Sequence, residues 1–342
     1  MKTLRLKINE IDKAGELIRE GKLVAFPTET VYGLGADAMN AKAVKSVYAA
    51  KGRPSDNPMI VHIADASALT ELVKGGGDGI GQDAITLMEA FWPGPLTMIF
   101  SKADAVPDAT TGGLDTVAIR MPSNETALQL INAAGCPIAA PSANLSGKPS
   151  PTTAEDVLED MDGRISAVLM GEQCDVGIES TVVDLTGETP TVLRPGIITA
   201  EWLANVLDKP VLNDKALYEK PASIADPEDG VAVTSDAPKS PGMKYRHYSP
   251  NAAVRLIEGS DEEFMARALA LGKAAKAEGK KVAVLNYGDD PDKAAHKLFA
   301  DLRELDRQGY DQIYIRSLEE VGFGFSVMNR MLKSAGYDIV KE

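Results

Sequence analysis

The sequence predicts a two-domain α/β protein, and three observations support this fold class. The chain has 342 residues, which exceeds the usual size of one domain and suits two. Segments with helical and strand-like apolar periodicity alternate over residues 1–207. Residues 251–342 repeat a strand–helix order, after a proline-rich stretch at 208–250 with the composition of a linker. We therefore predict a mixed α/β sheet, a linker and a smaller Rossmann-like α/β domain.

The first predicted domain alternates helices and strands from its start. Helices are predicted where apolar residues recur at helical spacing and a glycine or proline ends the run, as at Gly21, Pro93 and Gly135. These helices cover residues 11–21, 41–52, 83–94, 125–135 and 200–207. Short apolar runs predict strands at 22–27, 58–64, 95–100, 116–122, 137–143, 166–171, 180–185 and 190–195. The last two strands are joined by Thr-Gly-Glu-Thr, a hairpin signal, so we expect a mixed sheet.

The second predicted domain has the order β-α-β-α-β-α. Its strands are predicted at 252–259, 280–288 and 310–318, and its helices at 261–279, 290–309 and 324–336. The second helix has an apolar face, as expected for a helix packed on a core, formed by Ala295, Leu298, Phe299, Leu302 and Leu305. This order predicts a small doubly wound domain.

Composition excludes several classes of protein. A formal net charge of -14 argues against general affinity for nucleic acid or anionic membranes, because both favour clustered Lys and Arg. Cys136 and Cys174 lie far apart and outside any C-x-x-C pattern, which is typical of reduced thiols. No apolar run reaches the length of a membrane span, and the N-terminus lacks an apolar signal-peptide core. We therefore expect a cytoplasmic protein that does not bind membranes.

Two glycine-rich stretches and the histidines are weak signals. Residues 33–38 match G-x-G-x-x-A, but five residues separate the preceding strand from the first glycine, so a dinucleotide fold is disfavoured. The glycine run at 75–79 lacks a following Lys-Ser/Thr and is predicted to be a turn. His62, His247 and His296 have no metal-ligand spacing, so no metal site is predicted.

Polar residues at predicted strand and helix ends are the stronger signal. Lys51 and Arg53 follow the second helix, and we expect both to be surface groups. They could either complement the helix dipole or clamp a triphosphate. Arg120 and Arg194 end two strands. The segment PSANLSGKPSPTT follows a buried strand and carries short polar side chains that could form turns or contact a ligand: Ser142, Asn144, Ser146, Ser150 and Thr152. Together these groups predict a site for an anionic ligand.

The motifs together resemble a known family. Three motifs are similar to the YrdC/TsaC family of threonylcarbamoyl-AMP synthases: FPTETVYGLG, the pair Lys51-x-Arg53 with P-x-x-N-P, and Ser142-x-Asn144. The linker sequence PGMKYRHYSP and the second α/β domain resemble the long, two-domain form of that family. The resemblance implies a twisted mixed α/β sheet around a positively lined cavity.

The resemblance also implies an activity. Such enzymes combine L-threonine, bicarbonate and ATP, with Mg²⁺ accompanying the triphosphate, into threonylcarbamoyl-AMP and pyrophosphate. A separate threonylcarbamoyl transferase complex then modifies tRNA beside the anticodon, so tRNA would be only an indirect partner. Lys51 and Arg53 would be catalytic. ATP would contact these two residues and Asn57, Thr116, Ser142, Asn144, Ser150, Arg194, Tyr245 and His247. Threonine would contact Thr30, Tyr32, His62, Arg120, the Ala140 backbone and Ser180.

Two alternatives and one further expectation accompany this interpretation. An RNA-binding or ribosome-associated module could use the same basic cavity for a phosphate backbone, although the acidic net charge counts against it. A carbamoyl-adenylating enzyme with another acceptor is a weaker alternative. We further expect SPGMKYRHYSP, residues 240–250, to cover the cavity as a lid, because its prolines prevent a helix and its side chains are cationic and aromatic. The competing interpretation is a simple tether.

Overall fold

A computed structural model describes residues 2–219 and 247–341 of the chain. The described strands of the first domain are β1 Leu4–Lys7, β2 Val24–Phe26, β3 Gly33–Asp37, β4 Ile60–His62, β5 Leu96–Ser101, β6 Thr116–Arg120, β7 Ile138–Ala139, β8 Ala167–Met170, β9 Thr181–Asp184, β10 Thr191–Arg194 and β11 Leu212–Asn213. They form one sheet in the order β1-β8-β2-β3-β7-β4-β6-β5-β9-β10-β11.

The sheet is mixed, as the sequence predicts. Strands β2 and β3 are antiparallel, β4 and β6 are parallel, and β9 and β10 form the predicted antiparallel hairpin. The segment that matched G-x-G-x-x-A is not a phosphate loop, since it forms β3 itself. Three strands of this sheet were not predicted, β1, β3 and β11, because each is short and has few apolar residues. Strand β11 pairs with β10 although it lies inside the segment expected to be a linker.

Helices pack against this sheet. The described helices are α1 Ile11–Arg19, α2 Ala41–Lys51, α3 Leu69–Leu72, α4 Gln82–Phe91, α5 Asp108–Thr111, α6 Glu125–Ala134, α7 Ala154–Met161 and α8 Ala200–Leu207. Helices α3, α5 and α7 were not predicted, and the other five lie at the predicted positions. Helix α2 is preceded by the N-cap residue Asn40, whose side chain accepts hydrogen bonds from the backbone N–H groups of Lys42 and Ala43. It ends at Gly52, whose φ of 63° is a left-handed conformation that glycine adopts without strain. This turn places Lys51 and Arg53 at the end of the helix.

The second domain has a smaller, parallel sheet. Its elements are β12 Ala253–Ile257, α9 Asp261–Ala277, β13 Val282–Leu285, α10 Pro291–Arg307, β14 Gln312–Arg316, α11 Phe323–Ser334 and β15 Ile339–Val340. The strands pair in the order β13-β14-β12-β15. All six predicted elements are present, and β15 is an addition that the sequence pattern did not predict. No helix in the described ranges is long and apolar enough to cross a membrane.

The two domains share a hydrophobic core. Val31 and Ile178 of the first domain are buried in one cluster with Phe299 on α10 and Val327 on α11. At Gly177 a Cβ atom would lie 2.3 Å from the carbonyl oxygen of Ala295, so only glycine allows this close approach of the domains. Helices α10 and α11 therefore face the loops that follow β7 and precede β9.

Candidate active site

A cavity lies beside the ends of the central strands of the large sheet. It is partly open to solvent, and the space free of protein atoms within it and at its mouth is about 640 Å³. Ten of the predicted site residues line it: Thr30, Arg53, His62, Arg120, Ala140, Ser142, Asn144, Ser150, Arg194 and His247. The lining further includes Lys148 and Tyr248, so the cavity carries several cationic groups. Its position beside strand ends is where α/β sheets usually place ligands.

One end of the cavity is organised around Arg120, the last residue of β6. Arg120 Nη2 lies 2.7 Å from Glu29 Oε1, and Nη1 donates to Thr30 Oγ1 at 2.9 Å. Burial disfavours the charged form of Glu29, but the charge and hydrogen bonds of Arg120 outweigh that effect and hold the pKa of Glu29 below its usual value. These contacts fix the guanidinium where it lines the cavity, and its remaining N–H groups can meet a carboxylate there.

Lys51 is buried behind the cavity, so the expectation that it is a surface group is wrong. Its side chain is 2% exposed, and Nζ donates to the carbonyl oxygens of Ser142 at 2.5 Å and Asn144 at 2.6 Å. Burial and the nearby charge of Arg53 lower the pKa of Lys51 well below its usual value. The sequence did not reveal the burial of Lys51, because the two carbonyls lie more than ninety positions further along the chain. Lys51 therefore holds the loop after β7.

Arg53 remains at the cavity, and it is half-buried. Its Nη2 donates to the carbonyl oxygen of Pro58 at 3.0 Å, and Nε donates to that of Asn57 at 3.4 Å. These bonds orient the guanidinium at the end of α2. Arg53 is thus placed to contact an anion, whereas Lys51 supports the loop opposite.

The loop after β7 presents polar side chains in fixed positions. Ser142 Oγ donates to Asn144 Oδ1 at 2.5 Å, and Asn144 Nδ2 donates to the carbonyl oxygen of Lys148 at 2.9 Å. Ser150 Oγ donates to Glu179 Oε1 at 2.5 Å. The serine and asparagine side chains are thus held by local bonds, and they form one wall of the cavity.

Arg194 and Ser180 form a second arrangement, where β9 and β10 meet. Arg194 donates from Nε to the Ser180 carbonyl oxygen and from Nη2 to Ser180 Oγ, both at 3.0 Å. Ser180 Oγ also lies 2.8 Å from Thr97 Oγ1. Burial lowers the pKa of Arg194 to about 10, so it stays protonated at neutral pH. Arg194 lines the cavity, and Ser180 lies behind it as its orienting partner.

Residues 247 and 248 bring the end of the predicted lid to the cavity. His247 and Tyr248 both line it, and the Tyr248 ring stacks on Phe299 of α10 with centroids 5.0 Å apart. Among the described residues, His247 Nε2 has no hydrogen-bond partner although it is buried. Tyr245 and the rest of the lid up to residue 246 lie outside the described residues. Closure of the lid stays a prediction.

Three other predicted residues do not line the cavity. The Tyr32 hydroxyl is in the core, where it accepts from the Gly171 N–H at 3.1 Å and donates to the Glu172 carbonyl oxygen at 3.2 Å. Asn57 is buried beside the cavity wall. Thr116 begins β6, at the end of the strand opposite Arg120. Their proposed ligand contacts remain predictions.

Two functional carboxylates were missed by the sequence analysis. Glu29 pairs with Arg120, and Glu179 lines the cavity and pairs with Arg330 of α11 at 3.1 Å. The chain has 50 Asp and Glu residues, so composition does not single these out. The one available signal was position, since Glu29 lies within PTETVYG. No cluster of three or more His, Cys, Asp and Glu side chains suited to a metal ion occurs in the described ranges.

His62 provides a test of this geometry through pH. Burial, with the adjacent charge of Arg120, lowers its pKa to about 3, so the folded state keeps it neutral. The unfolded state binds a proton near pH 6.5 and the folded state does not, so stability falls as pH falls below 6.5. Relative to His62→Asn, wild type should lose up to about 1.4 kcal/mol of unfolding free energy per pH unit between pH 6.5 and 4.5. Urea unfolding at several pH values measures this, and parallel pH profiles for the two proteins would contradict it.

The fold and the site together define an α/β protein with a cationic cavity suited to a small anionic ligand. Comparison with known proteins makes this more specific. A family model described as telomere recombination (Sua5, YciO, YrdC) matches residues 16–196, and one described as threonylcarbamoyl-AMP synthase, C-terminal domain, matches residues 198–336. A threonylcarbamoyl-AMP synthase of Pyrococcus abyssi is 45% identical over 98% of this chain and 97% of that protein.

Two further relatives agree. A threonylcarbamoyl-AMP synthase of Bacillus subtilis is 44% identical over 97% of this chain and 94% of its own. A crystal structure of Pyrococcus abyssi Sua5 complexed with L-threonine matches at 44% identity with a TM-score of 0.90, covering 100% of both chains. The chain therefore belongs to the threonylcarbamoyl-AMP synthase family, in its two-domain form.

Proposed function

We propose that this protein is a nucleotidyltransferase that makes L-threonylcarbamoyl-AMP from L-threonine, bicarbonate and ATP and releases pyrophosphate. Near full-length similarity to threonylcarbamoyl-AMP synthases supports the activity. The observation that carries the proposal is the cavity itself. It joins a guanidinium suited to a carboxylate, Arg120, to a second cationic side formed by Arg53, Lys148 and Arg194. An amino acid and a triphosphate need these two kinds of contact.

The reaction requires no side-chain nucleophile. The threonine amine gives a carbamate either by adding CO₂ and losing a proton or by condensing with bicarbonate and losing water. A carbamate oxygen then attacks the α-phosphorus of ATP. The bond from this phosphorus to the bridging oxygen breaks, and pyrophosphate leaves with that oxygen. Catalysis then consists of positioning and of stabilising phosphate charge, which is what fixed arginines supply. Arg120 and Thr30 would hold threonine, and Arg53, Ser142, Ser150 and Arg194 would hold ATP.

Mg²⁺ would arrive with the triphosphate. The carboxylates that line or border the cavity, Glu29 and Glu179, are each paired with an arginine. They therefore do not form a cage for a free ion, and the residues present fit a cation that is bound through phosphate oxygens and water. The downstream partner would be a threonylcarbamoyl transferase complex that acts on tRNA, and the predicted cytoplasmic location is part of this proposal.

The test is pyrophosphate release with each substrate omitted in turn. We expect release to require ATP, L-threonine and bicarbonate together, and to change little with salt. The RNA-binding alternative predicts instead an RNA affinity that falls steeply with the logarithm of salt concentration. Unchanged pyrophosphate release without threonine would overturn the proposal.

Amino-acid selectivity gives a second prediction. L-threonine should be used in strong preference to valine, and also to serine and allothreonine. Valine has the same shape but lacks the hydroxyl, so any buried polar group of the site that meets the threonine hydroxyl would be left unpaired. We expect kcat/KM for valine to be lower by roughly 10⁴-fold. The test supplies L-threonine and valine together and measures the two adenylate products by mass spectrometry. Comparable rates for valine would remove the threonine assignment.

A further inference from the structure

Two arginines of the second domain reach the wall of the cavity from outside. Arg303 on α10 is 2% exposed and Arg330 on α11 is fully buried. Arg303 donates to the carbonyl oxygen of Pro149 from Nε at 3.1 Å and from Nη2 at 2.6 Å. Its Nη2 also donates to Asp160 Oδ2 at 2.7 Å. The backbone immediately before Ser150 is thereby attached to the second domain.

Arg330 fixes the other side of Ser150 through a carboxylate. Arg330 Nε donates to Glu179 Oε2 at 3.1 Å, and Nη1 donates to the Pro195 carbonyl oxygen at 2.6 Å. The second oxygen of Glu179 accepts from Ser150 Oγ at 2.5 Å, and Glu179 is also hydrogen-bonded to the Tyr248 hydroxyl. One guanidinium thus orients a carboxylate that orients two side chains of the cavity wall.

Charge gives this pair a functional consequence. Glu179 is the one acidic side chain among the described residues that line the cavity. The other titratable side chains there are cationic, apart from Tyr248 and from His62 and His247, whose pKa values are lowered by burial so that they stay neutral. Burial opposes the ionisation of Glu179, but Arg330 and then Arg194 outweigh burial and keep its pKa below the usual value. An unpaired Glu179 would repel the phosphates of a nucleotide. Neutralisation by Arg330 removes that repulsion while keeping the acceptor for Ser150.

We propose that Arg330 is a positioning residue for the nucleotide side of the site, acting through Glu179 on Ser150 and Tyr248. The second domain would then complete the ATP site rather than stand apart from it. This inference rests on the proposed function only in taking ATP as the ligand of the Ser150 side.

The experiment compares Arg330→Met with a matched interface variant. Arg307 on α10 also bridges the domains, donating to Asp156 Oδ1 at 2.9 Å and Glu159 Oε2 at 3.1 Å. Among the described residues, neither Arg307 nor these two partners line the cavity. Isothermal titration calorimetry measures the Kd of MgATP and, separately, of L-threonine for wild type, Arg330→Met and Arg307→Met. Thermal unfolding of each protein records the structural cost of losing an interface ion pair.

We expect Arg330→Met to raise the Kd of MgATP roughly tenfold or more, because Glu179 becomes an uncompensated buried charge beside a bound anion. The Kd of L-threonine should stay within about twofold of the wild-type value. Arg307→Met should lower thermal stability and leave both affinities unchanged. Equal weakening of ATP and threonine binding in Arg330→Met, or an ATP affinity equal to that of Arg307→Met, would overturn the inference. Because the assay measures ATP binding directly, a wild type that binds ATP but releases no pyrophosphate would overturn only the proposed function.

A double variant keeps the inference testable if Arg330→Met does not fold. In Glu179→Gln/Arg330→Met the buried negative charge is removed with its partner, and the glutamine carbonyl still accepts from Ser150. We expect this variant to fold and to bind MgATP more tightly than Glu179→Ala/Arg330→Met, which has no acceptor. Equal ATP affinities in these two double variants would mean that the orientation of Ser150 is irrelevant and would refute the positioning role.

Discussion

Replacing Lys51 with methionine is expected to lower turnover by roughly a hundredfold or more and also to destabilise the fold. Lys51 Nζ is the donor for the Ser142 and Asn144 carbonyl oxygens, and methionine leaves both without it. A buried acceptor that loses its hydrogen-bond partner costs about 1–3 kcal/mol of stability. Removing the buried ammonium charge of Lys51 offsets part of the cost for the two carbonyls. We therefore expect the free energy of unfolding to fall by about 1–3 kcal/mol. Pyrophosphate release and urea unfolding of the same preparation measure the two effects.

Arg53→Ala provides the contrast. Arg53 is half-buried and donates to the backbone carbonyls of Asn57 and Pro58, so we expect its removal to change stability by less than about 1 kcal/mol. Turnover should still fall by about a hundredfold, because Arg53 faces the cavity. Near-normal turnover in Arg53→Ala would contradict its role as a phosphate contact. A Lys51→Met protein as stable as wild type would contradict the supporting role assigned to Lys51.

The difference between these two residues illustrates what could be predicted from the sequence. The K-x-R spacing at the end of a helix predicted an anion site, and the helix does end between Lys51 and Arg53. The capping Asn40 and the left-handed Gly52 are local features, so local sequence determined them. Which of the two cations faces the ligand depends on where a loop ninety residues away lies. No local pattern contains that information.

The same reasoning applies to the elements. Helices with clear periodicity, such as α6 and α10, were predicted because their buried positions recur at helical spacing. Strands β1 and β11 were missed, since they have four and two residues and depend on pairing with β8 and β10. The contribution of the second domain was also not predictable. Arg303 and Arg330 are single arginines in an ordinary amphipathic pattern, and only the packing of α10 and α11 brings them to the cavity.

Replacing Arg120 should produce the second large effect, and this effect should be confined to the binding of L-threonine. Truncating one partner of a buried, hydrogen-bonded charge pair costs about 2–5 kcal/mol, which corresponds to roughly 30-fold to several thousand-fold in affinity. Arg120→Met should raise the KM for L-threonine by a factor within that range, because the variant lacks the guanidinium that would bind the substrate carboxylate. The Kd for MgATP, measured without threonine, should stay within about twofold.

The ion pair with Glu29 complicates a single replacement, because Arg120→Met leaves a buried carboxylate without its partner at 2.7 Å. Glu29→Gln/Arg120→Met removes both charges and should recover much of the lost thermal stability. Threonine binding should remain lost in the double variant, because folding needs only a neutral pair at this position, whereas the amino-acid carboxylate needs a cation. Calorimetric titration with L-threonine separates the two effects. If the double variant bound L-threonine as tightly as wild type, Arg120 would serve only the fold, and the carboxylate would have to bind elsewhere in the cavity.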